Sequence, residues 1–213
     1  MLSHPAELEK QLRAIVRAAE GTELRVLLPL VESAEQVRTV RALVADPDVA
    51  VGAMIETPAA AGRAAEIAAE ADFLSIGTND LVQYTLGLDR ERPVASAATA
   101  AEPIVLRLIA QVVDAAHAAG KTVEVCGEAA GETAVAALLI GLGVDELSVA
   151  PARLDELRET VRLLSFTDAA EAARQAVEAS SARAARALAG GLLSAELRHE
   201  TGQVVGGLGG TVT

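Results

Sequence analysis

Five short, mostly apolar runs, at residues 24–30, 49–56, 73–78, 122–127 and 146–150, alternate with stretches whose apolar residues recur at helical spacing. Each run is too short for a surface helix. The first, Leu24-Arg-Val-Leu-Leu-Pro-Leu30, reads as a strand buried on both faces. Strands of this kind separated by helices imply a parallel sheet covered by helices, hence an α/β chain built as a barrel or as a doubly wound fold.

Local signals place the helices. Leu8, Leu12, Ile15, Val16 and Ala19 share one helical face, and Gly21 offers a C-terminal cap. Ser33 with Gln36 three residues on is a capping box, and Asp46-Pro-Asp48 ends the helix that follows. Pro58 sits where a helix's first turn tolerates a missing donor. Further helices are expected from near Leu81, over 103–120 and over 132–142. Beyond Ala150 the strand runs stop: 151–199 reads as Ala- and Arg-rich helices and 200–213 as a loose Gly-rich tail. The stretch 91–102 carries no structural signal.

Composition narrows the function. A formal net charge of −12 repels phosphate backbones and anionic lipid, so neither nucleic acid nor a membrane surface is an expected partner. An aromatic content of 1% leaves no stacking platform for bases or sugars. The single cysteine, Cys126, excludes an internal disulfide and a thiolate-only metal cage. With no basic-then-apolar leader pattern and no apolar run near membrane-spanning length, a cytoplasmic location is expected.

In parallel α/β folds the chemistry sits at the carboxyl ends of the strands. There the sequence puts Glu56, then Thr78, Asn79 and Asp80, then Cys126, Gly127 and Glu128, with Ser148 inside the fifth run. Glu56 and Asp80 are hard oxygen donors suited to one magnesium ion, which takes one or two carboxylates and completes its shell with water and substrate. Asn79 and Arg90 would face an anion, Arg90 with a planar fork suited to phosphate, and Cys126 could move a proton. Each has a plainer reading. Asn-Asp pairs often bond their own backbone in turns, Asp89-Arg90-Glu91-Arg92 reads as a solvated charge cluster, Cys126 as an inert core thiol, and Glu56 as a helix N-terminal acid. His4 and His199 are near the termini and His117 lies late in a helix, so none reads as a ligand.

The run Asp72-Phe-Leu-Ser-Ile-Gly-Thr-Asn-Asp-Leu-Val-Gln-Tyr-Thr-Leu-Gly-Leu-Asp-Arg90 resembles the signature of phosphoenolpyruvate-utilising enzymes. The segments Gly52-Ala-Met-Ile-Glu-Thr-Pro-Ala-Ala-Ala61, Asp114-Ala-Ala-His-Ala-Ala-Gly-Lys121 and Val125-Cys-Gly-Glu-Ala-Ala-Gly131 resemble one branch, enzyme I of the bacterial sugar phosphotransferase system. That resemblance implies a partial TIM-like (β/α) barrel of about five parallel strands over 1–165, a helical segment over 166–199 and the tail 200–213. It implies Glu56 and Asp80 as magnesium ligands, Asn79, Asp80 and Arg90 against phosphoenolpyruvate, and Cys126 protonating the enolate as pyruvate forms. In the family the phosphoryl group passes to a histidine on a separate swivelling domain, which serves a histidine phosphocarrier protein. No histidine here has that Gly-rich, Ser-His context. The resemblance also implies a homodimer.

Two other readings stay open. A five-stranded partial barrel leaves unpaired strand edges, which would suit a non-catalytic interaction or dimerisation module. Magnesium-dependent aldolases and lyases acting on pyruvate-like acids also carry carboxylates at strand ends.

Overall fold

The computed structural model describes residues 5–19, 21–88 and 97–193. Arg90, the tail 200–213 and residues 91–96 fall outside them; the rest of the signal-poor loop includes a 3-10 turn, Ala97–Ala101. In chain order the elements are α1 (Pro5–Ala18), β1 (Arg25–Leu28), α2 (Ala34–Val44), β2 (Ala50–Ile55), α3 (Pro58–Gly62), α4 (Ala64–Ala68), β3 (Phe73–Gly77) and α5 (Thr78–Leu86). There follow α6 (Pro103–Ala118), β4 (Thr122–Cys126), α7 (Thr133–Gly141), β5 (Glu146–Leu147), α8 (Leu154–Leu163), α9 (Phe166–Ala176) and α10 over 182–193.

The expected α/β architecture is present: one five-stranded sheet in the order β1-β2-β3-β4-β5, every neighbouring pair parallel. Consecutive parallel neighbours joined by right-handed crossovers place their helices on one side of the sheet. The register bears this out, because Leu28, Val51, Ala53, Ile55, Leu74, Ile76, Val123 and Val125 all fall on one face and are buried. They form the core with Val37 and Val40 of α2, Ile67 of α4, Ile109 of α6 and Leu138 of α7.

The opposite face is different, and here the expectation that the first strand is buried on both faces fails: in β1 only Leu28 is buried, whereas β3 is buried at every residue. The opposite face carries Leu27, Gly52, Met54, Phe73, Ser75, Gly77, Glu124 and Cys126, several of them only half-buried. This face is concave. The Arg25 guanidinium of β1 lies over the Phe73 ring, 4.0 Å from its centroid, and reaches Glu146 of β5 at 3.2 Å. A flat sheet would set β1 and β5 about 19 Å apart, too far for those two side chains to meet. The sheet is therefore curled, as in part of a barrel wall.

Several boundaries shift. Gln36 Oε1 accepts from the backbone N–H groups of Glu32 and Ser33, 2.7 and 3.0 Å away, as a capping side chain should. The helix it caps ends at Val44 with Ala45 in the left-handed region, just before the expected Asp-Pro-Asp stop. α5 starts at Thr78 and not near Leu81. β5 keeps only Glu146 and Leu147, so Ser148 lies beyond it, although its N–H still donates to the Val125 carbonyl at 2.9 Å. A 3-10 turn begins three residues later at Pro151, which has no N–H to give a ladder.

At the other end of the sheet one device recurs. Asp72 precedes β3 and accepts from the Val51 N–H at 2.7 Å and from Arg41 at 2.8 Å. Asp145 precedes β5 and accepts from the Val123 N–H at 2.8 Å, with His117 Nε2 at 2.9 Å. Burial alone would raise both carboxyls. The backbone N–H and the cationic or imidazole partner outweigh it, holding both below the ordinary carboxylate range. Depressed folded-state values contribute stability that is present above the unfolded value and lost as pH falls through the folded one. Urea midpoints should therefore drop below about pH 4, and the Asp72→Asn/Asp145→Asn variant should show a shallower drop. Both side chains are more than a third open to solvent, which screens them, so the difference should be no more than about 1 kcal/mol.

Candidate active site

Glu56 follows β2 directly and is 5% exposed. Its Oε1 accepts from the Leu30 N–H at 2.6 Å, across the exit of β1, and Leu30 adopts φ +51° there. The helix after it is capped by Thr57, whose hydroxyl accepts from the Ala60 N–H at 3.1 Å, with Pro58 in the first turn as expected. Glu56 is thus turned toward the neighbouring strand exit, not spent as the cap of α3. Its Oε2 lies so close to Gly77 that a Cβ there would come within 3.1 Å.

Because α5 begins at Thr78, Asn79 and Asp80 occupy its first turn, where an acid is favourable with the helix dipole. The plain reading of Asn79 as a turn residue bonding its own backbone fails. Its Oδ1 accepts from the Glu128 N–H at 3.2 Å, beyond the end of β4. The Thr78 hydroxyl donates to the Cys126 carbonyl at 2.9 Å. These two bonds clamp the start of α5 onto the exit of β4, where Gly127 has φ +105° and ψ 179°.

Cys126 ends β4 on the concave face and is half-buried. Burial raises its thiol pKa, and the charges of Glu124 and Glu56 raise it further against a hydrogen bond from Ser75. The thiol is therefore held protonated, as a proton donor needs. Ser75, fully buried and opposite Glu124 in the register, escaped the sequence reading. Its only signal was the period of two that places it on the same face as Gly77.

The structure thus brings Glu56, Asn79 and Cys126 to the carboxyl ends of three adjacent strands, with Asp80 half-buried one residue beyond Asn79. Arg90 lies outside the described residues. Beside this group a cleft of about 660 Å³ is lined by Asn79, Gly127, Glu128, Ser148 and Arg153, among others. Among the described residues no group of three or more His, Cys, Asp or Glu side chains is arranged to hold a metal by itself. Glu56 and Asp80 fit an ion that needs only one or two carboxylates and takes further oxygens from substrate and water. His117 stands apart, near the end of α6 and bonded to Asp145 at the opposite end of the strands.

Residues 1–166 match a family profile described as "PEP-utilising enzyme, PEP-binding domain". The chain is 38% identical over 190 residues to a phosphoenolpyruvate-protein phosphotransferase from Buchnera aphidicola subsp. Schizaphis graminum, an alignment covering 83% of this chain and 33% of that one. It is 40% identical over 197 residues to a multiphosphoryl transfer protein from Xanthomonas campestris pv. campestris, covering 88% of this chain and 24% of that one. The chain therefore spans a third or less of the length of these relatives. Among solved structures it is similar to the citrate lyase beta subunit from M. tuberculosis complexed with oxaloacetate and magnesium, with 26% identity, a TM-score of 0.51, and coverage of 69% of this chain and 66% of that one. The signature residues at the strand ends, the parallel sheet that carries them and the profile match over 1–166 agree: the chain belongs to the phosphoenolpyruvate-utilising enzymes, through their phosphoenolpyruvate-binding domain.

Proposed function

We propose that this chain binds phosphoenolpyruvate with magnesium and is the substrate-binding part of a phosphoenolpyruvate-protein phosphotransferase, enzyme I of a sugar phosphotransferase system. The observation that carries this reading is the clamp at the ends of β3 and β4, which holds Asn79 and a protonated Cys126 beside the buried Glu56.

In this reading Glu56 and Asp80 hold the magnesium ion. When bound, magnesium neutralises charge on the phosphoryl oxygens as transfer proceeds. Asn79 is already oriented by the Glu128 N–H, so its amide nitrogen can donate to a phosphate oxygen, and Arg90 supplies the bidentate fork. Once the phosphoryl group has left, Cys126 gives its proton to the enolate carbon and pyruvate forms. The acceptor is a histidine outside this chain, from which the group passes to a histidine phosphocarrier protein. Pairing with a second copy and a cytoplasmic location belong to the same reading. No described helix is long and apolar enough to cross a membrane.

Isothermal titration of phosphoenolpyruvate should show binding that requires magnesium and disappears in Asp80→Ala. No binding by the folded chain would sink the proposal. Binding of pyruvate or oxaloacetate in its place would favour the lyase reading, which the likeness to the citrate lyase subunit keeps in view.

A further inference from the structure

The Cys126 sulfur is gripped from two sides by β3. The Ser75 hydroxyl donates to Sγ at 3.5 Å, and the thiol in turn donates to the Ile76 carbonyl at 3.6 Å. Both are ordinary lengths for hydrogen bonds involving sulfur. The parallel register explains the approach: Gly77 stands opposite Cys126 and Ser75 opposite Glu124, so Ser75 sits diagonally across from the thiol on the shared concave face. Ser75 is fully buried, an expensive place for a hydroxyl unless its hydrogen bond is used.

From this geometry we infer that Ser75 is the positioning residue for the proton-donor thiol, holding the sulfur in place and taking up the charge that develops on it. The inference rests on the reading of Cys126 as the donor to the enolate. At rest the S–H is parked on the Ile76 carbonyl, and rotation about the Cβ–Sγ bond frees it toward substrate. As the S–H bond breaks, the proton forms the new C–H bond of pyruvate and the electron pair stays on Sγ. Ser75, whose O–H already points at the sulfur, then strengthens its hydrogen bond to a thiolate. That stabilisation matters because burial, and next to it the charge of Glu124, oppose negative charge on the sulfur. The Ser75 hydroxyl is spent on the sulfur, so its effect should fall on the proton step.

Cys126 is the only cysteine, so alkylation by iodoacetamide reports on it alone. At a fixed, mildly alkaline pH, Ser75→Ala should alkylate roughly three- to tenfold more slowly, because the thiolate loses its donor while the change in side-chain volume is small. Ser75→Thr, which keeps the hydroxyl, should recover part of that rate. Magnesium-dependent phosphoenolpyruvate binding should be unchanged in Ser75→Ala. Deuterium uptake into the pyruvate methyl group should slow by a similar factor, with the half-saturating pyruvate concentration unaltered. A folded Ser75→Ala that alkylates at the parent rate overturns the inference. If the parent chain binds no phosphoenolpyruvate and exchanges no methyl hydrogen while the alkylation difference persists, the functional reading fails and the placement of the thiol by Ser75 stands.

Discussion

Gly127→Ala should lower the unfolding free energy by roughly 2–4 kcal/mol and abolish magnesium-dependent phosphoenolpyruvate binding. At φ +105° and ψ 179° the residue occupies a region that is essentially open to glycine alone, so any Cβ there is strained before it meets a neighbour. It then meets two. The added carbon would lie 2.5 Å from Thr78 Oγ1 and 3.0 Å from Asn79 Oδ1. Those are the two oxygens that clamp α5 to the exit of β4, by bonds to the Cys126 carbonyl and from the Glu128 N–H. Neither can retreat without giving up its partner, so relief of the overlap costs about 1 kcal/mol for each bond broken and turns Asn79 away from the anion. Urea unfolding and the phosphoenolpyruvate titration read the two effects separately. A variant as stable as the parent that still binds would show that the clamp is not what orders the site.

The beat of strand and helix was legible because both periods are written in the residues: apolar runs such as Val51 to Ile55 and Leu74 to Ile76, and the spaced Val37, Val40 and Val44 of α2. The strand-end address of Glu56, Asn79, Asp80 and Cys126 followed from the same beat. What the pattern hid was the concave face. Ser75 and Glu124 sit between strongly apolar neighbours, so hydropathy averaged along a strand does not show which polar groups line that face. β5 is shorter than the apolar run that Val149 extends, because the turn starting at Pro151 overrides that run. α5 was placed too late because Thr78, Asn79 and Asp80 favour caps and turns over helix interiors. Tertiary bonds to β4 settle Thr78 and Asn79 in the first turn instead. Ser75 carries no motif weight of its own, since its role depends on the register of β3 against β4.

The second large effect is expected far from the site, in Gly141→Ala. Glycine within a helix is ordinarily a weakness, and alanine at such a position gains about 1 kcal/mol from helix propensity alone. Position 141, the last residue of α7, should reverse that sign. A Cβ there would come 2.1 Å from the Ala169 carbonyl oxygen and 2.9 Å from the Ala173 Cβ, so α9 lies against α7 with no room for a methyl group. The first obstacle is backbone, which cannot rotate away, and α9 must shift as a body. Its buried face, Ala169, Ala172, Ala173 and Ala176, would be pulled from contact. Overpacking of this severity costs about 3 kcal/mol or more, which outweighs the propensity gain. The expected result is a net loss of about 2 kcal/mol or more in urea unfolding followed by far-ultraviolet circular dichroism. Its shape is as informative as its size. Ala172, Ala173, Ala176, Ala185 and Ala189 share one apolar cluster with the sheet and its helices, so α9 and α10 should unfold with the barrel wall in a single transition. An early, separate loss of helix in the variant would instead show that residues 166–193 are a unit of their own, docked on α7 and dispensable to the strands.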